Sequence, residues 1–197
     1  MNARSVRIAD YAEVLPGCAF KAHAKHEPEG SHQVILGKHL PTPGTGYRYH
    51  PEHELRITPR GKVERYSVKA GDVLFVSRGI RNQAVLVESV PEKTIASATF
   101  YLLRIRDDVD PAYLAWSLNQ VPIQNRIRQI RTGAGTPIVQ RKVFVDITIP
   151  LPSYQDQRRI AKLGACMVKE GILRQAILDR TTQLHSLLGR KLLHDLT

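Results

Sequence analysis

The last stretch of the chain constrains it most. Pro150 and Pro152 can continue neither a ladder nor a helix, and after them no proline recurs as far as Asp195. Within that run Leu173, Ile177, Thr181, Leu184, Leu188 and Leu192 follow at spacings of three or four residues, which traces one stripe on a helix. Ser153 can accept from the free N–H groups of a first turn, and Asp156, three residues on, completes a start of capping-box type. A continuous helix from Ser153 to Asp195 would be about 64 Å long at about 1.5 Å per residue. That exceeds the width of a domain of this size, so part of the apolar stripe has to be covered elsewhere. Gly164, Gly171 and Gly189 each cost about 1 kcal/mol relative to alanine in a helix, so a hairpin broken near Gly171 is the alternative.

Upstream the pattern changes. Short apolar runs of β type recur at Val34, Leu55, Val73, Ala84, Ala98 and Val145, separated by turn formers such as "PTPGTG" at Pro41 and "KAGD" at Lys69. Two helices interrupt them. Asp110-Pro111 is a capped start, with Tyr113, Leu114 and Leu118 facing a core and Trp116 as a further candidate. A second helix after Pro122 carries Ile123, Ile127 and Ile130 on one side and is expected to stop at Gly133. The fold class is α+β: a mixed, strand-rich domain over residues 1–150, then a helical region over 151–197.

Charge gives the first indication of function. Lys and Arg number 29 against 18 Asp and Glu, a net charge of +11 that favours polyanionic partners. Between Arg56 and Arg81 the bases are Arg56, Arg60, Lys62, Arg65, Lys69, Arg78 and Arg81, with only Glu64 and Asp72 opposing them. Between Arg126 and Lys142 the bases are Arg126, Arg128, Arg131, Arg141 and Lys142, with no acid. Arginine dominates, and its planar fork suits phosphates and guanine edges. Two solvated faces would give the same counts. Cys18 and Cys166 form no paired motif, no apolar run reaches transmembrane length, and the first residues lack the apolar core of a signal peptide. A soluble cytoplasmic protein is therefore expected, with no membrane partner.

Three motifs in this order, "GDVLFVSRG" from Gly71, "DPAYLAWSLNQ" from Asp110 and "RTGAGTPIVQRKVFVDITIPLPSYQDQRRIAKL" from Arg131, resemble one half of a type I restriction-modification specificity subunit. The family's joint, a Pro-Leu-Pro element followed by a Gln-Arg/Lys-x-Ile helix start, is matched by Pro150, Leu151, Pro152, Gln157, Arg158, Arg159 and Ile160. The resemblance covers the chain from about Val6 onward. It implies a mixed α/β target-recognition domain that reads several base pairs in the major groove. It also implies a helix that spaces two such domains and docks an adenine-N6 methyltransferase. S-adenosylmethionine would belong to that partner, and no cofactor is expected in this chain. This sequence departs from the pattern in having one recognition domain, one helix and no internal repeat. Reading a two-part target then calls for a homodimer, or pairing with another half-subunit, through Leu173, Ile177, Leu184, Leu188 and Leu192.

For direct base contact the candidates are Arg78, Arg81, Asn82 and Gln83: arginine can fork onto guanine, asparagine or glutamine onto adenine. The rival is an Arg78 ion pair and an Asn82 that only shapes a turn. Arg131, Thr132 and Gly133 open a small-residue loop whose backbone can approach a phosphate, or simply a turn, and Arg141 and Lys142 follow it. Tyr47, Arg48 and Tyr49 either probe a groove or cover a core edge. Arg56, Arg60, Lys62 and Arg65 suit phosphates, with a solvated face as rival.

The histidines His23, His26, His32, His50 and His53 supply metal-ligand types but match no zinc spacing, so no metal is expected. No nucleotide-binding glycine loop and no Asn/Asp-Pro-Pro-aromatic box occur. Asp107, Asp108 and Asp110 read as a polar loop and helix cap. The expectation is a non-catalytic DNA-recognition subunit of a restriction or phage-defence complex. The alternatives are an interaction adaptor or truncated regulator that docks on a methyltransferase through its helix without reading sequence, and a metal-dependent enzyme built on the histidines.

Overall fold

Alternation along the strands sets the layers, because successive side chains of a strand point to opposite faces. In a computed structural model describing residues 4–19, 25–59, 61–106 and 108–196, the run "VLFV" is a strand buried on both sides. Arg60, His23 and Asp107 lie outside the described residues. In chain order the elements are β1 (Arg4–Arg7), α1 (Ile8–Tyr11), β2 (Ala12–Pro16), β3 (His32–Ile35), β4 (Tyr47–Arg48), β5 (Arg56–Ile57) and β6 (Val73–Val76). Then come β7 (Ala84–Ser89), β8 (Thr94–Ala96), β9 (Phe100–Ile105), α2 (Pro111–Leu118), α3 (Val121–Gln129), β10 (Arg131–Thr132) and β11 (Ile138–Val139). The last are α4 (Arg141–Phe144), β12 (Thr148–Leu151) and α5 (Tyr154–Asp195).

A five-stranded sheet, order β2-β9-β6-β7-β4, forms the middle layer; it is antiparallel except where β4 joins β7 in parallel. Val73, Phe75, Tyr101 and Leu103 point to one face, where Tyr113, Leu114, Leu118, Ile123, Ile127 and Phe144 of the helices cover them. Leu74, Val76, Phe100 and Leu102 point to the other, against Ile35 and Ala96 of a three-stranded sheet, order β5-β3-β8. Val34 and Ile95, one residue out of phase, face the far side with Ile57 and Val63.

Both middle helices form as their sequences predict. Asp110 Oδ1 accepts from Tyr113 N at 2.9 Å, and Tyr113, Leu114 and Leu118 are buried while Trp116 is half-covered. Helix α3 buries Ile123 and Ile127 but stops at Gln129, before Gly133, which corrects the expected stop. Gly133 instead takes φ +103° in the turn between β10 and β11, a conformation that favours glycine.

The joint also differs from expectation. Pro150 was expected to end the ladder, yet it lies within β12, opposite Ser5 of β1. This pair is a two-stranded sheet, so the missing proline N–H removes no bond to a further neighbour. Tyr113 Oη donates to the Pro150 carbonyl at 2.5 Å, tying the joint to α2.

Ser153 caps α5 as predicted, its Oγ accepting from Asp156 N at 3.2 Å. The helix is unbroken over 42 residues, about 63 Å at about 1.5 Å per residue, which removes the hairpin alternative. Only its first turns are seated. Gln157 is buried: its Nε2 donates to the carbonyls of Asp108 (3.1 Å) and Pro152 (3.0 Å), and its Oε1 accepts from Asp110 N (2.9 Å). Asp108 has φ +77°, a left-handed turn that this side chain locks. Ile160 and Ala161 meet the core, and Gly164 passes so close to Trp116 that a Cβ there would overlap the indole. From residue 169 to 196 every described residue is exposed, Leu173, Ile177, Leu184, Leu188 and Leu192 among them. An arm packed along its whole length on its own domain is thereby excluded.

Beside the sheets, the His39 and His53 rings stack at 5.0 Å, with Tyr47 5.9 Å from His53. Burial, with His53 and Lys38 adding to it, lowers the His39 pKa from 6.5 to about 4. The folded state thus prefers neutral His39, and its contribution is complete above pH 6.5 and lost as the pH falls towards 4. Thermal unfolding across that window should show a loss on the order of 3 kcal/mol, flattened in His39→Gln. Gln157→Ala, which strands three backbone groups, should cost about 2–4 kcal/mol in a urea titration followed by circular dichroism.

Candidate nucleic-acid interface

Strand β6, interior in the middle sheet, delivers a loop, residues 77–83, at its end, and the chain fixes that loop at almost every residue. Ser77 donates to the Thr99 carbonyl through both N (2.8 Å) and Oγ (2.9 Å). Gly79, at φ +93°, donates from N to Pro137 O at 2.8 Å, and Val139 N donates to Ser77 O at 2.9 Å. The β10–β11 hairpin therefore lies against the loop, and the small-residue turn of 133–137 is carried beside Arg78. Two stretches roughly fifty residues apart in sequence become one surface.

Asn82 and Arg131 are the brace beneath that surface. Asn82 is 2% exposed; its Nδ2 donates to Val76 O at 2.9 Å, and its Oδ1 accepts from Arg131 Nε at 2.6 Å. Arg131 Nη2 donates to Ile80 O at 2.7 Å. From α3, Gln124 Nε2 reaches the Asn82 carbonyl at 2.8 Å. Asn82 is thus a turn-shaping residue, which corrects the expectation that it reads adenine: its amide is already occupied. Arg131 is likewise committed to holding the loop.

Other candidates keep free faces. Arg78 and Arg81 are exposed, and Gln83 is half-buried. Thr132 and Gly133 are exposed in the hairpin, where Thr132 Oγ1 accepts from Gln140 Nε2 at 3.3 Å. Arg141 and Lys142 are exposed on α4, and Arg141 Nη1 is tied to Val14 O at 3.1 Å. On α3, Arg126 holds Thr148, and Arg128 is bonded to Asn125. Beneath the hairpin the Tyr101 hydroxyl donates to Val139 O at 2.6 Å, and burial raises its pKa.

The remaining candidates belong to different places. Tyr47 is 1% exposed, and burial pushes its pKa up to about 12; the ring is core, so the groove-probing expectation is corrected. Arg48 is paired with Glu88, and Tyr49 N donates to Ser89 O at 3.0 Å. Arg56 lies opposite Gln33, at the end of β3 away from Ser97 and Thr99, and its Nε donates to Gly30 O at 2.8 Å. Lys62 is exposed, and Arg65 lies over the Tyr66 ring at 5.0 Å. The window from Arg56 to Arg81 is therefore two surfaces, and only its Arg78–Arg81 end joins the hairpin.

Sequence reasoning missed Gln124, which pins the loop, and Ile80, which stands at its crest. Ile80 had one visible signal: an apolar residue inside "SRGIRNQ", after the alternation of β6 has ended. Among the described residues no three His, Cys, Asp or Glu side chains form a group able to hold a metal ion, and no helix is long and apolar enough to cross a membrane. Asn82→Ala should cost about 2–3 kcal/mol, because Arg131 and the Val76 carbonyl lose a buried partner. Arg78→Ala should stay within about 0.5 kcal/mol of the parent in the same denaturant titration, as an exposed residue away from such networks does.

Comparison with known proteins agrees with this architecture. No protein-family model matches the chain. The specificity subunit of the type I restriction enzyme MjaVIII from Methanocaldococcus jannaschii is 26% identical over 159 residues, which is 80% of this chain and 34% of that protein. Among solved structures, the HsdS subunit of Thermoanaerobacter tengcongensis matches with TM-score 0.60 and 17% identity over 88% of this chain and 39% of its own. A chain from a study of complex assembly and conformational transition in the type I system matches with TM-score 0.69 and 17% identity, over 94% of this chain and 43% of its own. The chain thus spans about a third of the curated relative and about two fifths of these structures. The likeness that the motifs indicated holds in both sequence and fold.

Proposed function

Starting from this likeness to one half of a type I specificity subunit, we propose that the chain is the sequence-recognition element of a type I-like restriction-modification or related defence complex. The observation that carries this reading is the braced surface of loop 77–83 and the β10–β11 hairpin. It presents Arg78 and Arg81 outward, while the cost of holding them in place is met by Asn82, Arg131 and Gln124 beneath. Cations on this surface settle on phosphates and fix the register; Arg78, Arg81 and Gln83 are positioned to meet base edges. The neighbouring stretch from Arg126 to Lys142 carries no acid to repel the duplex.

The part played by α5 is to connect. Its seated residues, Gln157, Ala161 and Gly164, with half-buried Val168 against Gly44, follow one face; Leu173, five residues beyond Val168, lies about 140° further round. The exposed stripe is therefore no continuation of the face that meets its own domain. Its cover is a second helix of the same kind, in a homodimer or with another half-subunit, and the pair docks an adenine-N6 methyltransferase. That enzyme would hold S-adenosylmethionine and carry out the chemistry. Two recognition surfaces set apart by the paired helices would read a two-part target, palindromic in the homodimer.

Duplexes selected from a random pool should share a motif, and affinity for them should fall steeply with salt. Arg78→Ala should cost about 1–3 kcal/mol of discrimination at one base position and leave the others unchanged. Ile177→Asp with Leu184→Asp should abolish pairing, read as a halved mass in light scattering, without lowering the affinity of a single site. A methyltransferase that co-purifies with a chain indifferent to base sequence would replace this reading with that of a docking adaptor.

A further inference from the structure

Ile80 is 72% exposed at the crest of the loop that follows β6. A lone exposed isoleucine is ordinary on a protein surface. The setting of this one is not. Its carbonyl is held by Arg131 Nη2 at 2.7 Å, and the glycine before it is fixed at φ +93° and bonded to Pro137. Two residues on, Asn82 is buried and bonded on three sides. The side chain is thus displayed by a fixed backbone, and being β-branched it has few rotamers to lose on contact.

The neighbours narrow what can cover it. Arg78 and Arg81, both exposed, flank it in sequence, and the Arg131 guanidinium lies under its backbone. A branched hydrocarbon contributes nothing to phosphate binding. Its partner has to bring apolar atoms into a setting whose charges are negative. The major-groove edge of an A·T pair does this, since it carries the thymine C5-methyl group between two phosphate backbones; a G·C pair has only the cytosine C5–H at that position and no methyl. We infer that Ile80 is a specificity-determining residue that recognises a thymine through its methyl group. This rests on the DNA-recognition reading above.

The test uses the purified chain, alone and with its methyltransferase, on a duplex selected by the parent protein. Each thymine is replaced in turn by deoxyuridine, which removes the methyl group alone. At one thymine the parent should lose about fourfold in affinity, the value of one buried methyl. Ile80→Ala should be weaker on the thymine duplex and insensitive to the same replacement, with an unchanged melting midpoint. Selection repeated with Ile80→Ala should lose its preference for thymine at that position only. If the parent is sensitive to no thymine methyl, or Ile80→Ala keeps the same sensitivity, the inference fails while the DNA reading stands. An Ile80 that wedges between base steps would give that result. A parent chain that selects no sequence at all overturns both.

Discussion

The seating of α5 by Gln157 is the contact on which the rest of the architecture depends. One side-chain amide satisfies a carbonyl at Pro152 in the joint, a carbonyl at Asp108 in a left-handed turn, and the N–H of Asp110 at the cap of α2. It therefore couples three backbone directions that would otherwise be independent. Gly164 against Trp116 sets the second point of contact, and two points fix a line. The remainder of the helix leaves the domain at an angle decided within its first three turns.

The same economy operates at the other pole of the molecule. Loop 77–83 is long enough to be loose, and backbone freedom of that kind costs about 1–2 kcal/mol per residue to remove on binding. Asn82, Arg131 and Gln124 remove it beforehand. Arg131 is thereby used up in holding the loop, while Arg78 and Arg81 stay exposed. A positive charge in the right region is no guide to contact; what matters is whether its donors already have acceptors.

The sequence was legible where one short-range rule decides the outcome. Asp110-Pro111 starts a helix because a carboxylate and a fixed φ act on the next turn alone. Ser153 and Asp156 do the same for α5. "VLFV" shows itself as a strand buried on both faces, although which face meets the helices is invisible until Tyr101, Leu103 and Phe144 are in place. Gly133 was misassigned because a glycine after a helix reads equally as its stop or as the turn of the next hairpin. Pro150 was misjudged because a proline is barred only from a strand paired on both sides, and pairing is not local. Tyr47, between a glycine-rich turn and Arg48, and Asn82, between Arg81 and Gln83, look like surface residues, yet both are buried by segments distant in the chain.

The sequence alone determined a capped helical start at Ser153 with an apolar stripe beyond it, an α+β body before it, and a cationic excess, since periodicity, capping and charge need only neighbours a few residues apart. The tertiary structure decided which arginines face outward, how loop 77–83 joins the hairpin fifty residues away, and where α5 parts from its domain. Those outcomes depend on hydrogen bonds and contacts between segments whose meeting is set by packing of the whole core, and no local pattern encodes them.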